Sequence, residues 1–138
     1  MVNYLDLNET PPSLPATGID ASAWDLLNHY FVFMFPNLFS RACHPVLTGP
    51  VISDALDLLN IEEGKSWDYA AVVRYRSRRD MVEIITNSNF FDRHDYKIAA
   101  LEKTIAIPVN PRFIGDLRLI LFMFFLIVGL SIQIIRKN

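Results

Sequence analysis

His94 sits among acids, with Asp92 two residues before it and Asp95 directly after. An imidazole titrates near neutral pH, so a histidine beside carboxylates can act as a general base or ligate haem iron. The competing role is structural: a half-buried ring whose hydrogen bonds hold the helix break after Asn89. Arg74, Arg76, Arg78 and Arg79 form the densest basic cluster. Arg74 and Arg76 alternate along an expected strand and would share one face of a sheet. Lining a cleft, they would clamp a carboxylate or a developing oxyanion. Otherwise they pair with the acids at 54–68 or are solvated. His94 as base with Arg74 or Arg76 as clamp is the candidate catalytic set.

Cys43-His44 could form a thiolate–imidazole pair, but adjacent side chains point apart and no carboxamide or carboxylate is spaced to orient the base. A small packed thiol is the simpler reading. A single cysteine excludes an internal disulfide and cannot build a zinc site alone. His29 and His44, fifteen residues apart, define no metal site by themselves. No metal and no cofactor are expected.

The elements that must position these groups follow from periodicity and punctuation. Val2–Leu7 (VNYLDL) alternates apolar and polar residues as a half-buried strand does. The proline-rich ETPPSLPATG is a loop. Asp20 stands where an N-cap would, before a helix over about 21–42. Trp24, Leu27, Phe31, Met34 or Phe35, and Leu38 form its stripe toward the chain's own sheet, and Pro36 should kink it. Tyr30, Phe33 and Val32 then point elsewhere, so their burial needs a second protomer, another subunit or lipid. A strand over 29–35 is the competing assignment. Val46–Ile52 is a second strand, placed by Pro50 at an edge or bulge. The acidic stretch 53–66 is one helical turn and a loop.

Tyr69–Tyr75 is the clearest strand. Ser77 caps a helix (RRDMVEIIT) with Asp80 as its capping-box acid and Met81, Ile84 and Ile85 as its inner stripe. A further helix over about 90–103 carries Phe90, His94, Ile98 and Leu101 on one side. Thr104–Val109 is the last strand. The order β-α-β-β-α-β is that of a ferredoxin-like α+β domain, a four-stranded antiparallel sheet with helices on one face. The expected division is a domain over 1–109, a linker over 110–117 and a transmembrane helix over 118–136.

From Leu119 to Ile135 the chain carries no charge, with Arg118 before the run and Arg136-Lys137 after it. At ~1.5 Å per residue this spans about 25 Å, slightly under a ~30 Å hydrocarbon core. Snorkelling arginines and mild thinning supply the rest. Leu119, Phe122, Phe124, Phe125, Ile127 and Leu130 would face lipid. Ser131 and Gln133 could hydrogen-bond a neighbouring helix. The polar, acidic N-terminus is no signal peptide, so a single-pass, tail-anchored protein of the cell (inner) membrane is expected, with its domain cytoplasmic.

Net charge is −2 but polarised: residues 1–70 carry −7 and residues 71–138 carry +5. The basic half adjoins the anchor, as suits a domain resting on anionic lipid. The bases do not interleave with an aromatic platform, so no nucleic-acid partner is expected.

Residues 67–109 resemble the second half of the DUF1330-like branch of the dimeric α/β-barrel superfamily. Trp67, Asp68, Arg74, Tyr75, Ser77, Arg78, His94, Ala99, Ala100, Leu101, Glu102 and Pro108 fall on that pattern. A looser similarity extends to Val2–Leu7, Trp24–Ala42 and Pro45–Ile52. Cys43-His44 departs from a usual Gly-Gly turn, the segments at 10–17 and 53–65 differ, and the anchor lies outside the pattern. The resemblance implies a ferredoxin-like protomer whose sheet packs on a second copy. The superfamily includes monooxygenases, haem-degrading enzymes, isomerases and binding or assembly modules, so fold does not decide activity.

Two functions are therefore expected in competition. One is a non-catalytic accessory or assembly subunit of a membrane complex, contacting lipid, integral membrane subunits and a second copy. The other is a small membrane-tethered monooxygenase or isomerase acting on a lipophilic substrate such as a quinone, sterol or polyketide.

Overall fold

The computed structural model describes all residues except 62–63, 89–90, 113–114 and 138. Phe90 and Asn89, assigned above to a helix stripe and a helix break, lie outside the described residues. The elements run β1 (Val2–Leu7), α1 (Ala23–Phe39), β2 (His44–Pro50), β3 (Tyr69–Arg74), α2 (Arg78–Ile85), α3 (Phe91–Ala99), β4 (Leu101–Ile107) and α4 (Leu117–Lys137). The chain is thus α+β.

The four strands make one sheet in the order β2-β3-β1-β4, every neighbouring pair antiparallel. Leu5 opposes Tyr69 and Thr104, and Val2 opposes Val72 and Ile107. Since side chains alternate, one face carries Asn3, Leu5 and Val73. The other carries Val2, Tyr4, Val72, Leu47, Ile105 and Ile107. Asn3 and Leu5 are buried, whereas Tyr4, Leu47, Ile105 and Ile107 are exposed. The helices lie on the Leu5 face. Edge strand β2 slips register between Pro45 and Leu47 and ends at Pro50, where an edge tolerates a missing N–H.

Ser22, not Asp20, caps α1. Its hydroxyl accepts from the Asp25 N–H at 3.2 Å, while the Asp25 carboxylate accepts from the Ser22 N–H at 2.8 Å. Both orphan donors are satisfied reciprocally, which an isolated Asp20 could not do. The helix runs through Pro36 to Phe39 and is capped by Ser40, and the turn beyond it holds Ala42, whose φ of 54° lies in the left-handed region.

The buried stripe of α1 is Ala23, Leu26, Leu27, Tyr30, Met34 and Leu38. This corrects the expected stripe: Trp24 is exposed, Phe31 and Phe35 are half-buried, and Tyr30 is only 5% exposed. Tyr30 therefore belongs to the core and not to an intermolecular interface. The core has two parts. Leu5, Leu26, Leu27, Ala100 and Leu101 fill one, and Tyr30, Met34, Leu38, Cys43 and Ile84 fill the other. Burying each large apolar side chain stabilises by about 1.5–3 kcal/mol.

Two further boundaries differ from expectation. Ser77 does cap α2, but Asp80 and Ile84 form its buried side, while Ile85 is exposed and Met81 half-buried. The α3 helix stops at Ala99 because Leu101 pairs with Leu7 and begins β4. Burial of Leu101 overrides the helical periodicity, and Ile98 is left exposed. Among the described residues of 51–68 there is no α-helix. The last helix, α4, is long and apolar enough to cross a membrane over Leu117–Arg136, with mean hydropathy 2.4 and none of it buried.

Candidate functional site

Position on α3 decides the surroundings of His94. Asp92 and Asp95 are exposed, whereas His94 is half-buried, its ring centroid 6.3 Å from that of Tyr30. Neighbours one or two places along a helix lie on other faces, so its inward environment is aromatic. Burial pushes the imidazole pKa below 6.5, and the nearby Lys97 ammonium pushes it the same way, against a smaller opposing effect of Asp95. The ring is thus held toward its neutral form.

Sequence spacing did not gather the polar groups that meet around Tyr30. Tyr75 follows Val73 on the helix-covered side, and its hydroxyl is buried with no hydrogen-bond partner among the described residues. Burial raises its pKa to about 12, with a smaller contribution from Cys43. Tyr30 is raised as well, first by burial and then by Tyr75. Lys97 is half-buried, and desolvation lowers its pKa. The signals that could have found them were the alternation that turns Val73 and Tyr75 inward and the three-residue spacing of His94 and Lys97. Such a group of two phenols, an imidazole and a thiol can donate and accept protons. It is packed among Met34, Leu38 and Ile84.

Cys43 is fully buried; its Sγ accepts from the Arg76 N–H at 3.3 Å and donates to the Arg41 carbonyl at 3.5 Å. His44 opens β2, so the two do not form a nucleophile–base pair. The His29 ring lies against that of Tyr96, tilted by 45° with centroids 4.3 Å apart. Among the described residues no three His, Cys, Asp or Glu side chains gather to hold a metal ion.

The arginines have contacts of their own. Arg74 ends β3 on the open face, its Nη1 3.5 Å from the Ala42 carbonyl. Arg76 lies beyond the strand and makes a two-pronged contact with Asp80 at 2.8 and 3.0 Å, which Ser77 Oγ joins at 2.6 Å. These donors, Arg76 first, hold the Asp80 carboxyl below its usual range. Arg79 pairs with Glu83 at 2.8 Å, and Arg41 lies 3.9 Å from the same carboxylate. Among the described residues these arginines do not pair with the acids at 54–68; Arg76 and Arg79 pair instead with acids one helical turn away.

Phe33 is half-buried beneath Arg93, whose guanidinium carbon lies 5.2 Å from the ring centroid. Ser131 bonds back to the Ile127 carbonyl at 2.8 Å within α4. At the other end of the sheet an open groove of about 1010 Å³ is lined by Asp6, Glu9, Asp68 and Glu102 with Trp24 and Tyr69. Neither His94 nor Tyr75 reaches it.

No protein-family profile matches the chain, and no curated protein does. Solved structures do. The methylated RPA0582 protein superposes with a TM-score of 0.65 at 20% identity, covering 83% of this chain and 81% of its own. A second structure of RPA0582, a protein of unknown function from Rhodopseudomonas palustris, gives 0.60 at 19% identity, covering 80% and 81%. These matches establish a shared fold. The chain is thus an α+β domain that shares the fold of RPA0582, followed here by an apolar C-terminal helix.

Proposed function

We propose that this is a membrane-anchored assembly module: a ferredoxin-like domain of the dimeric α/β-barrel type, DUF1330-like in its second half, tethered by α4 and working through protein contacts. The observation that carries this reading is the uncovered sheet face. Tyr4, Leu47, Ile105 and Ile107 stand exposed on it, and Val32 and Phe39 are exposed on α1. Apolar surface of this extent on a small domain marks contact with another protein. A second copy would cover the sheet face, and the subunits of a membrane complex would cover α1. The strand order and the wholly unburied α4 support the ferredoxin-like and transmembrane parts of the reading.

A small membrane-tethered enzyme, a monooxygenase or isomerase working on a lipophilic substrate, is the second reading. The cluster of Tyr75, Tyr30 and His94 favours it. Extraction in mild detergent followed by mass spectrometry of co-purifying chains separates the two. The assembly module predicts a stoichiometric integral-membrane partner. A lone homodimer that loses ~10²–10⁴ of a measured activity on His94→Ala, with folding unchanged, would establish the enzyme instead.

A further inference from the structure

Strand register divides the domain into two ends of opposite charge. Val2 pairs with both Val72 and Ile107, and His44 pairs with Arg74. The exit from β4 toward α4, the end of α1 and the start of α2 therefore share one end. Arg41, Arg74, Arg76, Arg78 and Arg79 gather there against Asp80 and Glu83, leaving a net +3. The opposite end holds the groove acids Asp6, Glu9, Asp68 and Glu102, with Asp25 in the first turn of α1. Lys103 lies 3.3 Å from Asp6 among them, and these six groups sum to −4.

The connection alone does not choose an orientation. The nine residues from Pro108 to Asp116 reach about 30 Å when extended, while the seven residues of β4 span only ~23 Å. The linker could lay either end on a bilayer; charge distinguishes them. An anionic leaflet attracts each surface arginine by an amount worth about five-fold in the docked population and repels the acids.

We propose that the arginine-rich end is a docking surface for anionic lipid headgroups, so that the strands stand near the bilayer normal and the acidic groove opens toward water. This rests on the reading of α4 as a membrane span. In that pose the uncovered sheet face lies side-on to the bilayer, free to meet a neighbour. Two copies anchored in one leaflet with equal orientation are related by a twofold along the normal, which brings both basic ends to the same surface.

The test uses the full chain in vesicles of phosphatidylcholine, with or without phosphatidylserine, and a bimane label at Ser40→Cys (basic end) or Thr10→Cys (acidic end). The unsubstituted chain serves as the blank for buried Cys43. Headgroup-nitroxide lipid should quench the Ser40 label more than the Thr10 label. Phosphatidylserine should strengthen that contrast, and added salt should weaken it as screening shortens. Arg74→Gln with Arg78→Gln should lower the docked population about thirty-fold. Co-flotation of the chain without any contrast, or with the Thr10 label closer, overturns the orientation and leaves the span intact. A contrast that ignores phosphatidylserine and salt also overturns it. If inorganic phosphate shifts the Ser40 label in neutral vesicles as phosphatidylserine does, the surface reads a soluble anion and not lipid. A chain that fails to float overturns the span and the orientation together.

Discussion

The two helices of this chain richest in apolar residues, α1 and α4, are opposite in fate. Over its 17 residues α1 buries six side chains against the sheet and its neighbours. Over its described residues Leu117–Arg136 α4 buries none. Hydropathy separates them in part, since α1 carries Asp25, Asn28, His29 and Asn37 while residues 119–135 carry no charge. A partner completes the separation: the α1 stripe meets Leu5, Leu101 and Ile84, while no described residue covers α4. The uncovered helix is long and apolar enough to cross a bilayer, and the half-covered one leaves Val32 and Phe39 exposed.

The largest expected effect lies on the α1 side. Leu26→Ala empties a fully buried site and should cost about 2–5 kcal/mol in urea unfolding. Phe124→Ala in α4 should leave the domain's unfolding midpoint where it is. Equal effects would mean that α4 packs on the domain. Next is Ile127→Arg at the middle of α4, which should weaken insertion by about 3 kcal/mol and shift the chain from the membrane to the soluble fraction. Domain unfolding should not change, and retention in the membrane would remove the basis for reading α4 as a span.

Smaller effects sharpen what the core contains. The Tyr75 hydroxyl is buried without a partner among the described residues, so Tyr75→Phe should be neutral or stabilising, by about 1 kcal/mol. A clear loss of stability would mean that the hydroxyl is bonded in solution. His94 has a depressed pKa because burial disfavours its charged form. The unfolded chain therefore binds more protons as pH falls through about 6.5. The His94 contribution to stability is fully present above that pH and declines below it. His94→Gln should flatten the decline; an unchanged slope would show that other groups cause it.

Much of the fold was legible because local chemistry and tertiary packing agree. The VNYLDL alternation marks β1 as a strand, though polar Asn3 faces inward beside Leu5 and Tyr4 is exposed. Ser77 caps α2 because its hydroxyl meets the Asp80 N–H at 3.0 Å. The rotation of α1 was not legible: with apolar residues nearly all round the helix, periodicity carries no phase. Tyr30 and not Phe31 then takes the core position. The end of α3 was hidden for another reason, because the sheet claims Leu101 for β4. Candidate chemistry fared worst at His94. Sequence proximity to Asp92 and Asp95 suggested carboxylate neighbours, while helical geometry turns the ring toward Tyr30. The polar charge distribution was visible as a difference between halves, but only strand register converts it into two ends.

The most direct test of the account is sodium carbonate extraction at high pH of membranes carrying the full chain, beside a chain ending at Asn110. Spanning by α4 predicts that the full chain stays in the pellet and the shortened chain is soluble. Release of the full chain by carbonate would contradict the span, and with it the tethered module built upon it.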